Sequence, residues 1–85
     1  MKISREDFEI IFWIEFMGYG DPSRLSGQMN KSEEGVEKRL RGLEERGLIK
    51  IELRDGKIYG SSLTSRGVEV FNDKQYLKWK LELGY

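Results

Sequence analysis

The amino-acid sequence predicts a mostly helical α+β domain that carries one β-hairpin. Several stretches place apolar residues at helical spacing behind a Ser, Thr or Asp that can cap a helix. In contrast, residues 49–59 alternate apolar and charged side chains around the turn signal Asp55-Gly56. No linker, internal repeat or low-complexity segment interrupts the 85 residues, so we expect the chain to fold as one unit.

The first predicted helix runs from Ser4 to Met17. Ser4 is a good N-cap, Asp7 occupies the third position of a capping-box variant, and Gly18 is a good stop. The apolar side chains occupy nearly the whole circumference rather than one stripe, so this helix requires burial on two sides. It is either a central helix wrapped by its own domain or a helix shared between the domain core and a dimer interface.

A short second helix is predicted from Pro22 to Met29. Asp21 can cap it, and Pro is well tolerated at the first helical position. Leu25 and Met29 are one helical turn apart and should face the core.

A longer third helix follows, capped by Ser32. Val36, Leu40 and Leu43 fall at i, i+4 and i+7, which predicts one buried face. Gly47 should end this helix in the left-handed conformation.

The chain then changes from helical to strand periodicity. Ile49, Ile51 and Leu53 alternate with charged residues, and Asp55-Gly56 favours a type I′ turn between two antiparallel strands. These features predict a small two-stranded ribbon.

One further helix and a C-terminal segment complete the chain. Thr64 can cap the helix, with Val68 and Phe71 as its expected core contacts. Residues 73–85 fit a helix, because Lys, Leu and Glu are helix formers and Gly84 is a good stop; they also fit a strand, because apolar and polar residues alternate. Either structure leaves an apolar face at the end of the chain.

Composition restricts the classes of function. The chain has 15 Lys and Arg against 15 Asp and Glu, so no net positive charge attracts it to nucleic acid or anionic lipid. It has no Cys and no His, which removes thiolate nucleophiles, the usual zinc sites and the commonest acid–base side chain. We therefore expect no enzymatic activity, cofactor or metal, and no small-molecule ligand can be inferred from the sequence. The longest apolar stretch, residues 8–17, is too short to span a bilayer, which predicts a soluble cytoplasmic protein.

The segment "LSGQMNKSEEGVEKRLRGLEERGLIK" resembles bacterial and archaeal winged-helix regulators such as the MarR-like and PadR-like families. Leu25 and Met29 match the apolar positions of their positioning helix, and Ser32 matches the cap of their recognition helix. The segment "LEERGLI" matches the sequence that leads into the wing of these proteins. The later "LTSRG", Leu63 to Gly67, matches the sequence that follows the wing.

The resemblance implies a winged helix-turn-helix over residues 1–72, with a three-helix core and a hairpin wing, followed by the C-terminal extension of residues 73–85. It implies a transcriptional regulator that binds double-stranded DNA as a homodimer. The alternative is a winged helix used as a protein-interaction or assembly module, because this architecture serves both purposes.

By the same resemblance, DNA contacts come from the start of the positioning helix, the first turns of the recognition helix and the tip of the wing. Groups in these places reach base edges and phosphates. The candidate DNA-binding residues are Ser23, Arg24, Lys31, Ser32, Glu33, Glu34, Glu37, Lys38, Arg41, Arg54 and Lys57.

The acidic start of the recognition helix has two explanations. Glu33 and Glu34 complement the positive end of a helix by about 0.3–1 kcal/mol each. The spacings Glu34 to Lys38 and Glu37 to Arg41 allow ion pairs of about 0.2–0.5 kcal/mol each. Alternatively, one carboxylate accepts a hydrogen bond from a cytosine amino group in the major groove.

A dimer is expected because a chain of this length buries only a modest core. The apolar surplus of the first helix and of the C-terminal segment supplies the surface. The candidate interface residues are Phe8, Trp13, Phe16, Leu77, Trp79 and Leu81.

Overall fold

A computed structural model of the chain describes residues 2–85 and confirms a mostly helical α+β architecture with a two-stranded antiparallel hairpin. The C-terminal segment is helical. No helix in this part of the chain has the length and apolar character needed to cross a membrane. The elements in chain order are α1 (Arg5–Met17), α2 (Pro22–Met29), α3 (Glu33–Glu45), β1 (Ile49–Arg54), β2 (Lys57–Leu63), α4 (Ser65–Asn72), a 3-10 turn (Lys74–Tyr76) and α5 (Leu77–Leu83).

Helix α1 lies at the centre of the domain. Ser4 caps it by accepting a hydrogen bond from the Asp7 backbone N–H at 3.2 Å, and Gly18 ends it with φ of 73°. The other four α-helices and β2 all pack against α1, so the chain itself covers most of its circumference. The exception is the C-terminal turn, where Phe16 and Met17 are 45% and 47% exposed.

Helices α2 and α3 follow one another across a short turn, as the sequence predicts. Asp21 caps α2, and Leu25 and Met29 are buried, as their spacing predicts. The turn between the helices begins at Asn30, which has φ of 55°. Gly47 follows the last residues of α3 with φ of 76°, which confirms its predicted left-handed conformation.

The hairpin has the predicted turn but an irregular ladder. Asp55 and Gly56 have φ of 52° and 75°, the two positive values that a type I′ turn requires. The pairing register shifts between Glu52 and Leu53, so the regular alternation is lost near the tip. As a result Leu53 is 60% exposed rather than directed inward, which corrects its predicted place on the apolar face.

Helix α4 contacts the core through a face different from the predicted one. Thr64 caps it by accepting a hydrogen bond from the Gly67 backbone N–H at 3.2 Å. Gly67 lies directly against the backbone carbonyl of Leu48, so the buried positions are Gly67 and Phe71. The prediction for Phe71 is confirmed. The one for Val68 is wrong, because this close approach turns Val68 away from the core and leaves it half-buried.

The C-terminal segment begins with a capped 3-10 turn and continues as α5. The Asp73 carboxylate accepts hydrogen bonds from the Gln75 backbone N–H and side-chain amide, both at 3.0 Å, and these bonds lower the pKa of Asp73. Tyr76 is buried, and Trp79 and Leu83 are partly buried against the core. The inward face therefore repeats at helical spacing, and the strand alternative is wrong.

Lys80 is the one charged residue with a buried side chain, at 7% exposure, among residues 2–85. Its Nζ donates a hydrogen bond to the Phe71 backbone carbonyl at 3.1 Å. The same atom lies 4.4 Å from the centroid of the Phe71 ring and 4.3 Å from that of Tyr85. A carbonyl near the C-terminal end of α4 and two aromatic faces thus solvate the ammonium group and fasten α5 to α4.

We predict that Gly67→Ala lowers the free energy of unfolding by about 1–3 kcal/mol, because the added Cβ would collide with the Leu48 carbonyl. Gly27→Ala in α2 is the matched control. A Cβ there meets nothing within 4 Å, so its better helix propensity should add about 0.5–1 kcal/mol. Urea denaturation followed by circular dichroism measures both. Equal effects of the two substitutions would contradict the packing of α4 on Leu48.

Candidate nucleic-acid interface

Helix α3 has one face in the core and the opposite face in solvent. Ser32 caps it by accepting a hydrogen bond from the Gly35 backbone N–H at 3.1 Å. Val36, Leu40 and Leu43 are buried, as their spacing predicts. The solvent-facing side is therefore available to a macromolecular partner.

The solvent-facing side of α3 carries charges of both signs. Glu33 and Glu34 lie in its first turn, where they complement the positive end of the helix. The predicted ion pairs are wrong: within residues 2–85, Glu34 makes no ion pair with Lys38, and Glu37 makes none with Arg41. At such an exposed site, hydration and side-chain entropy offset the small Coulomb gain of a pair.

A set of ion pairs that the sequence did not reveal joins α3 to the first turn of α1. Arg39 lies 2.9 Å from Glu6 and 3.0 Å from Asp7. Arg46 lies 3.5 Å from Asp7, and Lys31 lies 3.9 Å from Glu6. We call these five residues the α1–α3 ion cluster. Within this cluster, the candidate DNA-binding residue Lys31 is paired with the Glu6 carboxylate.

The N-terminal end of α2 already holds a carboxylate. Asp21 accepts a hydrogen bond from the Arg24 backbone N–H at 3.0 Å, and its other oxygen lies 3.6 Å from the Arg24 guanidinium. That guanidinium also lies 5.7 Å from the centroid of the Tyr19 ring. Ser23 is exposed, and its backbone carbonyl accepts a hydrogen bond from the Ser26 hydroxyl at 2.8 Å. A phosphate would meet Asp21 here, so this end of α2 is a weaker anion site than predicted.

The hairpin, which is the expected wing, presents an oriented arginine. The Arg54 guanidinium lies 3.9 Å from the centroid of the Tyr59 ring, and both side chains are exposed. Stacking on an aromatic ring limits the motion of the guanidinium, so less entropy is lost when it meets a phosphate. Lys57, on the other side of the turn, is also exposed. Tyr59 was missed as a site residue because nothing in the strand pattern distinguishes it from a sheet-forming aromatic residue.

Two concave surfaces adjoin the candidate DNA-binding residues. The larger has a volume of about 530 Å³, lies between the first turn of α1 and one side of α3, and includes Lys31, Ser32 and Lys38. The second has a volume of about 450 Å³, lies between the α1–α2 loop and the wing, and includes Arg24 and Tyr59. The fold thus brings three candidates near the start of α3 to the first surface, but only Arg24 to the second, and the candidates Ser23, Arg54 and Lys57 line neither of the two.

The residues predicted at a dimer interface differ in exposure. Phe8 has no exposed surface and packs inside the core, so it cannot contact a second chain, which corrects the prediction for this residue. Trp13 and Trp79 are partly buried against the core. The remaining side chains are exposed: Phe16 at 45%, Leu77 at 48% and Leu81 at 59%.

Comparison with known proteins gives no match to a protein-family model, to a curated protein or to a solved structure. The class that the fold defines directly is a small, mostly helical α+β domain with one antiparallel hairpin. Its assignment as a winged helix stays a proposal.

We predict that Asp7→Asn lowers the free energy of unfolding by about 1–2 kcal/mol. The substitution removes the charge that Arg39 and Arg46 share, at a carboxylate that is only 17% exposed. Glu37→Gln on α3 is the control and should change stability by less than about 0.5 kcal/mol, because Glu37 makes no ion pair in the described chain. Thermal unfolding at low and high salt measures both variants, and the loss in Asp7→Asn should shrink at high salt. A loss in Asp7→Asn no larger than that in Glu37→Gln would disprove the ion cluster.

Proposed function

We propose that this chain is a winged helix-turn-helix DNA-binding protein that acts in the cytoplasm as a homodimeric transcriptional regulator. The observation that carries the proposal is the order α2, turn, α3 and hairpin, with α3 buried along one face and exposed along the other. A helix held in this way on a small scaffold has the geometry needed to enter a major groove, with the hairpin as a wing. The resemblance of residues 25–49 to winged-helix regulators supports the same proposal.

Four exposed cations on α3 and at the tip of the wing can contact phosphates. Lys38 and Arg41 project from α3, and Arg54 and Lys57 flank the wing tip. Lys31 is partly neutralised by Glu6 in the α1–α3 ion cluster. Few phosphate contacts per chain give a shallow salt dependence and a modest affinity, because counterion release grows with their number. Two chains on adjacent half-sites would double the number of contacts.

The carboxylates of the first turn limit where α3 can lie on DNA. Glu33 and Glu34 are exposed and repel phosphates, so the tip of α3 is best placed over base edges rather than against a backbone. There a carboxylate can accept a hydrogen bond from a cytosine amino group. The wing, which carries the oriented Arg54, then supplies much of the backbone affinity.

The exposed apolar side chains outside the wing support a homodimer. They lie on the C-terminal turn of α1, on α5, and at Tyr85, two residues beyond the end of α5. The Phe16 and Tyr85 rings, 5.9 Å apart between centroids, join the two helices. This surface, which we call the α1–α5 patch, consists of Phe16, Met17, Leu77, Leu81 and Tyr85.

A protein-interaction module is the second candidate function. The observation that favours it is the wing, where Leu53 and Tyr59 are 60% and 55% exposed. Apolar side chains on a protruding ribbon suit a protein surface better than a phosphate backbone. The mixed charge on the solvent side of α3 also suits a protein partner with charges of both signs.

We predict that the protein binds duplex DNA with an affinity that falls as salt rises. Removing Lys38, Arg54 or Lys57 individually with alanine should reduce the slope of log affinity against log salt by about 1 each, because each removes one phosphate contact. Fluorescence anisotropy of labelled duplex DNA across a salt series measures this slope.

The matched control for these variants is Lys78→Ala, an exposed lysine on α5 that belongs to neither α3 nor the wing. It should leave the slope unchanged. Absence of DNA binding at low salt, or equal slopes for all four variants and the parent protein, would remove the DNA-binding proposal. Retention of a protein with a charged surface under the same conditions would then favour the interaction module.

We predict that the protein is a dimer at micromolar concentration and that Leu81→Lys converts it to a monomer, because the charge would be buried in the α1–α5 patch. Leu53→Lys is the control. Leu53 is equally exposed but lies on the wing, so its substitution should leave the mass unchanged. Light scattering after size-exclusion chromatography gives the mass. A monomer mass for the parent protein would exclude the homodimer, and a mass change in Leu53→Lys alone would move the interface to the wing.

A further inference from the structure

Two apolar side chains near the end of the hairpin take no part in the core. Leu53 is 60% exposed and Tyr59 is 55% exposed. Ile51 and Leu63, on the same two strands, do pack against the core. Residues 52–57 are all exposed, so the end of the hairpin stands clear of the domain. Because two such side chains lie together at a protruding end, they form a surface suited to interaction with a partner.

The β-ladder places Leu53 directly behind a pair of cations. Arg54 and Lys57 are the last pair before the two-residue turn, and Leu53 and Ile58 form the pair that precedes them. Opposed residues of an antiparallel pair share a face of the ribbon, yet Ile58 is only 8% exposed. The ribbon therefore leaves the core between these two residues, and Leu53 projects from its edge into solvent. We call residues 53–59 the hairpin tip.

The charge of the hairpin tip favours an anionic target. Its cations are Arg54 and Lys57, and its only anion is Asp55 in the turn, so one positive charge is left over. Neither cation makes an ion pair within residues 2–85. Arg54 instead has its guanidinium 3.9 Å from the centroid of the Tyr59 ring. The hairpin tip thus presents an apolar side chain beside two cations that no carboxylate engages.

This combination is complementary to a step between two stacked base pairs. The faces of the bases are apolar, and phosphates of the two strands flank the step. A protein surface would need an apolar pocket with an acidic rim to offer the same match. In the minor groove, leucine is among the apolar residues that insert between base steps and kink the duplex. The two-residue turn gives the hairpin a narrow end, which suits entry into that groove.

We propose that the hairpin tip enters the minor groove of duplex DNA, where Leu53 inserts as a wedge between two base pairs and bends the duplex. Arg54 and Lys57 contact the flanking phosphates, and stacking on Tyr59 holds Arg54 in position. Wedges of this kind kink DNA by about 20–90°. The proposal rests on the DNA binding proposed above and adds that the bound DNA is deformed.

The direct test measures bending by fluorescence energy transfer in a duplex of about 30 base pairs that is labelled at both ends. Saturation with the parent protein should raise the transfer efficiency, because a bend brings the ends together. Leu53→Ala should remove most of this rise, whereas Leu53→Met, which keeps a long apolar side chain, should retain it. The slope of log affinity against log salt should be the same for all three, because Leu53 makes no phosphate contact. Circular dichroism confirms that each variant is folded.

A second measurement uses DNA that is easier to unstack. A single mismatched base pair weakens the local stack, so the parent protein should bind a mismatched duplex about tenfold more tightly than the matched one. Leu53→Ala should bind both duplexes equally, because it has no wedge to insert.

The outcomes separate this inference from the DNA-binding proposal. DNA binding without a rise in transfer efficiency, or an equal rise for the parent and Leu53→Ala, would overturn the wedge and leave DNA binding intact. The exposed apolar side chains of the hairpin tip would then be assigned to a protein partner. Absence of DNA binding at low salt would overturn both proposals.

Discussion

Burial of α1 is the constraint on which the rest of the structure depends. Phe8, Ile10, Ile11 and Phe12 are fully buried, and they point in several directions around the helix axis. No single neighbour covers such a helix, so α2, α3, β2, α4 and α5 each cover a part of it. Because a short chain buries little surface in total, every covering element contributes to the same core, and the positions of α3 and the hairpin follow from how they pack around α1.

The polar end of α1 has a second role, which concerns α3. Its acidic first turn provides the carboxylates that bind Arg39 and Arg46 on α3. These arginines are therefore directed toward the domain, while Lys38 and Arg41 on the same helix remain in solvent. The positive charge of α3 is thus divided between two arginines that hold the helix on α1 and two cations that remain in solvent.

Local patterns in the sequence predicted most of the fold. Every helix cap that the sequence indicated is formed, because capping depends on residues three apart, and the buried stripe of α3 follows from its i, i+4, i+7 spacing. Features that depend on distant contacts were not predictable. The approach of Gly67 to Leu48 turned α4, the register shift moved Leu53 outward, and the partners of Arg39 lie on a helix distant in sequence. The pattern was enough to name the candidate DNA-binding residues. It could not predict that Lys31, one of them, lies beside the Glu6 carboxylate of α1.

Lys80 gives the C-terminal helix a fixed position on the core. One backbone carbonyl and two aromatic rings surround its buried ammonium group in place of bulk water. A purely apolar contact between α5 and α4 would permit sliding or rotation at little cost, whereas any such movement here would leave a buried charge without its partners. The outer side of α5 is therefore a rigid platform with one orientation relative to α3. In a homodimer formed through that side, the distance between the two recognition helices, and hence the spacing of the half-sites they can reach, would depend on this lysine.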